Sequence, residues 1–81
     1  MTIKEKAKRF DAQQTVEEFN RLFPVGSNVM VRKIASKEWP YQEVTVESEA
    51  FIANDTEPVC FFNEISGYFS VNKKFIKYPK N

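Results

Sequence analysis

The chain has 81 residues, 42% of them hydrophobic and 28% charged, with a formal net charge of +1. That is the length of one domain, with apolar content sufficient for a thin core and too little charge imbalance for a disordered chain. One cysteine and no histidine exclude an internal disulfide and a His/Cys zinc centre.

The charge is uneven along the chain. Residues 1–10 carry four bases and one acid, residues 34–72 carry seven acids and one lysine, and residues 73–81 carry four lysines. An acidic middle between two basic ends does not describe a uniformly basic nucleic-acid binder. The charged start lacks the apolar stretch of a signal peptide, and no apolar run reaches membrane-spanning length. The expectation is a cytoplasmic protein whose lone thiol stays reduced.

Taken in chain order, the first 23 residues read as helix. Ile3, Ala7 and Phe10 recur at the spacing of one helical face, and Thr2 with Glu5 can form a capping box. Thr15 with Glu18 makes a second box, followed by a new stripe of Val16, Phe19, Leu22 and Phe23. The pattern predicts two segments, about 3–11 and 15–23, broken near 12–14. Pro24 stops the second, because the residue before proline avoids the α region, and Gly26 supplies the turn.

From Ser27 the period becomes two. Residues 28–35 read as a strand with Val29 and Val31 on one face. A loop at 36–41 contains Trp39-Pro40-Tyr41. Residues 42–53 read as one long strand, with Val44, Val46, Ser48, Ala50 and Ile52 on one face and Glu43, Thr45, Glu47, Glu49 and Phe51 on the other. Asn54 to Glu57 form a turn closed by Pro58. A third strand covers 59–63, and the strong bias of cysteine to burial turns Cys60 and Phe62 inward and Phe61 outward. A tight turn at Glu64–Gly67 leads to a strand at 68–71, a 3₁₀ turn at 72–75 and a short last strand at 76–78.

Five short strands with turn signals every 8–12 residues suggest a small barrel or sandwich, and closure favours the barrel because it removes exposed edges. The run Phe23-Pro24-Val25-Gly26-Ser27-Asn28-Val29-Met30-Val31 resembles the opening of SH3-like barrels of the Tudor and KOW type. Ile65-Ser66-Gly67-Tyr68-Phe69-Ser70-Val71 is similar to the turn and fourth strand of the same barrels. The resemblance covers about residues 23–78. The whole chain also resembles small uncharacterised bacteriophage and prophage proteins, through Phe23-Pro24-Val25-Gly26, Val46-Glu47-Ser48-Glu49-Ala50, Glu57-Pro58-Val59 and Ser66-Gly67. These motifs imply backbone geometry and no activity. The expected fold is mainly β: a single domain over 1–81, with a helical segment at 1–23 and a five-stranded SH3-like barrel at 24–81.

Catalysis finds little support. Cys60 lies in the apolar run Val59-Cys60-Phe61-Phe62, and no histidine is available to activate it. Two glycines cannot make a phosphate loop. Neither cofactor nor metal is expected, and the protein reads as a non-catalytic binding module. The leading expectation is a phage- or prophage-type accessory protein that binds another protein, with Trp39, Tyr41 and Phe51 as anchors and Glu43, Glu47 and Glu49 steering a basic partner. Against this stands the ordinary role of charged strand faces as solvated surface and of Trp39 as a lid on the core. The alternative is nucleic-acid binding through Lys73, Lys74, Lys77 and Tyr78, where bases interleave with aromatics; equally, Phe75 and Ile76 plug the barrel end while the lysines are simply wet. A third reading is homo-oligomerisation along Ile3, Ala7 and Phe10.

Overall fold

The computed structural model describes residues 3–34, 36 and 38–79, with side chains from Arg9 onward. Thr2, Ala35, Lys37 and Lys80, and the side chains of Ile3, Lys4, Glu5, Lys6, Ala7 and Lys8, lie outside the described part, and so do the first capping box and two members of the Ile3–Ala7–Phe10 stripe. The elements are α1 (Ile3–Leu22), β1 (Asn28–Val31), β2 (Gln42–Thr45), β3 (Phe51–Ala53), β4 (Glu57–Phe61) and β5 (Tyr68–Ser70).

The two predicted helices are one helix of 20 residues. Gln13 and Gln14 are good helix formers and do not break it. Thr15 caps nothing: its hydroxyl donates back to the Asp11 carbonyl at 2.9 Å, the bond a helix-interior threonine makes to the preceding turn. The helix ends where expected. Phe23 N–H still donates to the Phe19 carbonyl at 2.8 Å, and Ser27 N–H then reaches back to Pro24 at 3.0 Å. Gly26, at φ 92°, supplies the left-handed residue that this reversal needs.

The strands form two antiparallel sheets, β1-β2 and β3-β4-β5, with no single closed sheet among the described residues. In the first, Val29 faces Val44 and Met30 faces Glu43. The pairing runs on past β2: Val46 N–H donates to Ser27 O, and Gly26 N–H to Val46 O, both at 2.9 Å. On its other side, the same stretch is bridged to Phe62, with Glu47 N–H on Phe61 O at 2.9 Å and Asn63 N–H on Thr45 O at 3.0 Å. Val46 is thus the point at which the two sheets meet.

The long strand expected at 42–53 is divided into β2 and β3. Between them, Ala50 finds its hydrogen-bond partners on the helix: its N–H donates to Asn20 Oδ1 at 2.7 Å, and its carbonyl accepts from Asn20 Nδ2 at 3.3 Å. The Ser48 carbonyl accepts from Cys60 Sγ at 3.0 Å. Side chains have replaced the ladder there. The alternation itself survives, because Val44, Val46 and Ala50 are all buried.

The first strand stops at Val31 instead of reaching residue 35. Arg32 folds over, with Nε on Lys74 O at 2.8 Å and Nη1 on Ser36 O at 2.9 Å. Strand β4 starts two residues earlier than expected and includes Pro58, in the central strand of its sheet. Pro58 is tolerated because its carbonyl accepts from Val71 at 2.9 Å, beyond the end of β5. Its ring nitrogen points the same way, so no bond to β3 is lost. Asn54 and Asp55, at φ 51° and 67°, close the β3-β4 turn in the left-handed region that short polar side chains tolerate. The predicted last strand reduces to one bridge between Ile76 and Val31. The turn before it is present, with Phe75 N–H on Asn72 O at 2.9 Å.

The helix lies across β3 and β4. Its Phe19 is fully buried among Val29, Val31, Val44, Val46, Cys60, Phe62, Val71 and Ile76. Phe62 meets Phe19 edge-on, centroids 6.2 Å apart. No polar or charged side chain is buried among the described residues, so the core is held by apolar burial and ring packing.

Candidate functional site

Strand register builds an aromatic face on the outside of the β3-β4-β5 sheet. Phe51 pairs with Val59, Val59 with Ser70 and Phe61 with Tyr68. With a period of two, Val59 and Phe61 share the side opposite Cys60, which points at the core. The Phe51 and Phe61 centroids are 5.7 Å apart, and Tyr68 stands 6.4 Å from each, at angles near perpendicular. Phe51 and Tyr68 are 37% and 50% exposed, while Val59 beneath them is buried.

The outward parity of Phe61 is as expected. Its partial cover comes from Phe51 and Tyr68, because the helix lies on the other face of the sheet. Tyr68 was not singled out from the sequence; only the register of β4 on β5 brings it to Phe61.

Two exposed acids, Glu47 and Glu49, adjoin this face along the backbone, and Glu43 lies in the other sheet. Glu47 is exposed, and its N–H bonds the carbonyl of Phe61; Glu49 is exposed two residues before Phe51. Glu43 is exposed on β2 opposite Met30. Glu64 is committed elsewhere: its carboxylate accepts from Thr45 N–H at 2.7 Å and from the Thr45 hydroxyl at 3.1 Å. Those bonds hold its carboxyl below the usual carboxylate range.

A second surface is a groove of about 690 Å³ lined by Phe23, Tyr41, Lys73, Ile76, Lys77, Tyr78 and Pro79. The bridge of Ile76 to Val31 draws the C-terminal segment alongside β1 and so toward Tyr41. The Arg32 guanidinium stands 5.1 Å from the Tyr41 ring centroid, and Lys77 Nζ 5.9 Å from it. Both are within cation–π range. Tyr78 faces inward: its hydroxyl donates to Val71 O at 2.6 Å, and its ring packs on Phe19 and Phe23 at 6.4 and 5.9 Å. Burial, assisted by the charge of Glu18, pushes its hydroxyl pKa well up. Lys73, Lys74 and Lys77 are exposed.

The three anchors expected from sequence therefore separate. Phe51 belongs to the aromatic face and Tyr41 to the basic groove. Trp39, 44% exposed in the loop, lines neither. Phe10 is 62% exposed on α1, beside Gln13, Gln14 and Glu17. Cys60 is buried in the core with its Sγ donating to Ser48 O, and burial pushes its thiol pKa up, the opposite of what a nucleophile needs. Among the described residues no helix is long and apolar enough to cross a membrane. Comparison of the chain with protein-family models, with curated proteins and with solved structures finds no match.

Proposed function

We propose that this protein is a non-catalytic binding domain that docks a basic protein surface on the outer face of the β3-β4-β5 sheet. One observation carries the reading: Phe51, Phe61 and Tyr68 stand in mutual ring contact on the side of the sheet that the helix leaves open. Aromatic side chains grouped at a surface are the usual anchors of interfaces, since each removes a large area from water when covered. Glu47 and Glu49 beside them favour a partner bearing lysine or arginine and set the approach more than the affinity. The only thiol is a core group, and the chain has no histidine, which is why we read binding in preference to chemistry.

We read the architecture as an SH3-like barrel left open between its two sheets. The bridges Val46–Phe62 and Val31–Ile76 fall where such a barrel would close, which supports that reading.

The test uses the double variant Phe51→Ser/Tyr68→Ser against an immobilised array of lysine- and arginine-rich peptides carrying apolar residues. The wild-type chain should be retained, the variant released, and the melting temperature should fall by no more than roughly 10 °C with a cooperative transition kept. Retention that the double variant leaves untouched would overturn the proposal, as would a collapse of thermal stability, which would make the face part of the core. Concentration-dependent dimerisation abolished by the same variant would show instead that the face pairs with a second copy.

A further inference from the structure

We propose a second binding site: the basic groove between Tyr41 and the C-terminal segment binds single-stranded nucleic acid. It shares no residue with the aromatic face and goes beyond the protein-docking role.

The groove has the two components such ligands require. Its floor is apolar, with the rings of Phe23 and Tyr78 beside the largely buried Ile76, and its volume of about 690 Å³ exceeds what one side chain needs. Its rim is cationic, from Lys73 and Lys77, and Arg32 adds a third cation against the ring of Tyr41 that lines it. Lysines and arginine neutralise phosphates, while flat groups receive bases.

Arg32 is already in place before any ligand arrives. Its Nε is held by Lys74 O at 2.8 Å and its Nη1 by Ser36 O at 2.9 Å, so the guanidinium is fixed 5.1 Å from the Tyr41 ring. Ordering it costs less on binding, and its plane offers a stacking surface that an ammonium lacks. The flat groups of Arg32 and Tyr41, beside Phe23 and Tyr78, favour a nucleobase over the aliphatic and carboxylate groups of an acidic peptide.

Acids limit the path. Asp11 and Glu18 line an adjoining depression with Lys73, and Glu18 acts on Tyr78. A strand therefore runs on the Arg32–Tyr41–Lys77 side, away from the helix.

The experiment is fluorescence anisotropy of a short labelled oligothymidine with the full chain. With three phosphate contacts, affinity should fall roughly 20-fold between about 50 and 200 mM salt. Lys73→Glu/Lys77→Glu should abolish binding. Tyr41→Ala should weaken it roughly tenfold while the salt dependence stays the same, because stacking is lost and phosphate contacts are kept. Tyr41→Phe should bind as wild type, which separates loss of the ring from loss of the hydroxyl, and an unchanged melting temperature of Tyr41→Ala separates it from loss of the fold. Phe51→Ser/Tyr68→Ser should also bind the oligonucleotide normally, so this site and the aromatic face fail independently. Absence of binding at low salt overturns the proposal. So does equal affinity for an oligoglutamate peptide of the same charge, or binding insensitive to both groove variants.

Discussion

Phe19 and Phe51 have similar neighbours and opposite situations. Phe19 stands 5.1 to 6.4 Å from Phe23, Phe62 and Tyr78 and is fully buried. Phe51 stands 5.7 and 6.4 Å from Phe61 and Tyr68 and is 37% exposed. The ring distances are comparable; the cover is not. The inner cluster is closed by the helix from one side and by the valines of both sheets from the other, so its burial is spent on stability. The outer cluster has a sheet beneath it and solvent above, so much of its area is still available to a partner. The ring contacts alone therefore do not tell a core from an interface.

Substitutions can break or sharpen this contrast. The largest effect is expected at Phe19→Ala, which empties the centre of the core and should cost about 3–5 kcal/mol in chemical denaturation. A loss under about 1 kcal/mol would show that the inner cluster is no better packed than the outer. Next, Asn20→Ala strips both backbone groups of Ala50 of their partners at a half-buried position, and should cost about 1–3 kcal/mol. Faster amide exchange confined to residues 48–53 would tie that loss to the boundary between β2 and β3. Phe51→Ala should cost less than either, about 1 kcal/mol or below, because a half-wet ring loses part of its burial and leaves no enclosed cavity. If it matched Phe19→Ala, the outer cluster would belong to the core.

Ionisation gives two smaller tests. Tyr78 and Cys60 both have pKa values raised by burial, so their contribution is present below the unfolded values and is lost as pH rises through the folded ones. Unfolding midpoints should be flat through neutral pH and fall above about pH 9–10, where an unfolded thiol and phenol ionise. Tyr78→Phe should reduce that alkaline slope while lowering stability at neutral pH through the lost bond to Val71. Glu64 is the reverse case: its folded pKa is lowered, so its stabilisation is present above the unfolded value and is lost as pH falls through the folded one. Glu64→Gln should flatten the acid limb of the stability profile, the smallest of these changes because the carboxylate is exposed.

Several features were legible in the residues themselves. Three of the four stripe residues, Val16, Phe19 and Phe23 but not Leu22, pack in or against the core, and the alternation of Val44, Val46 and Ala50, the inward turn of Cys60 and Phe62 and the outward turn of Phe61 likewise follow from local periodicity. The stop at Pro24, the Gly26 reversal and the turn after β3 follow from backbone preferences that each residue carries with it.

What the sequence by itself determined, then, was the type of most elements and which side of each strand faces inward, because a period of two or of 3.6 is set by the backbone of one segment alone. The tertiary structure decided which side chains meet. Asn20 ends a strand thirty residues away, Tyr68 joins Phe61 through the register of two strands, and Tyr41 leaves Phe51 for Lys77 because Ile76 bridges Val31. The uninterrupted helix through Gln13 and Gln14 belongs with these in part: the capping signal of Thr15 and Glu18 competed with good local helix formers and with packing on β3 and β4, and no window of sequence contains those strands. Non-local pairing depends on how separate segments share one thin core, which no local pattern encodes.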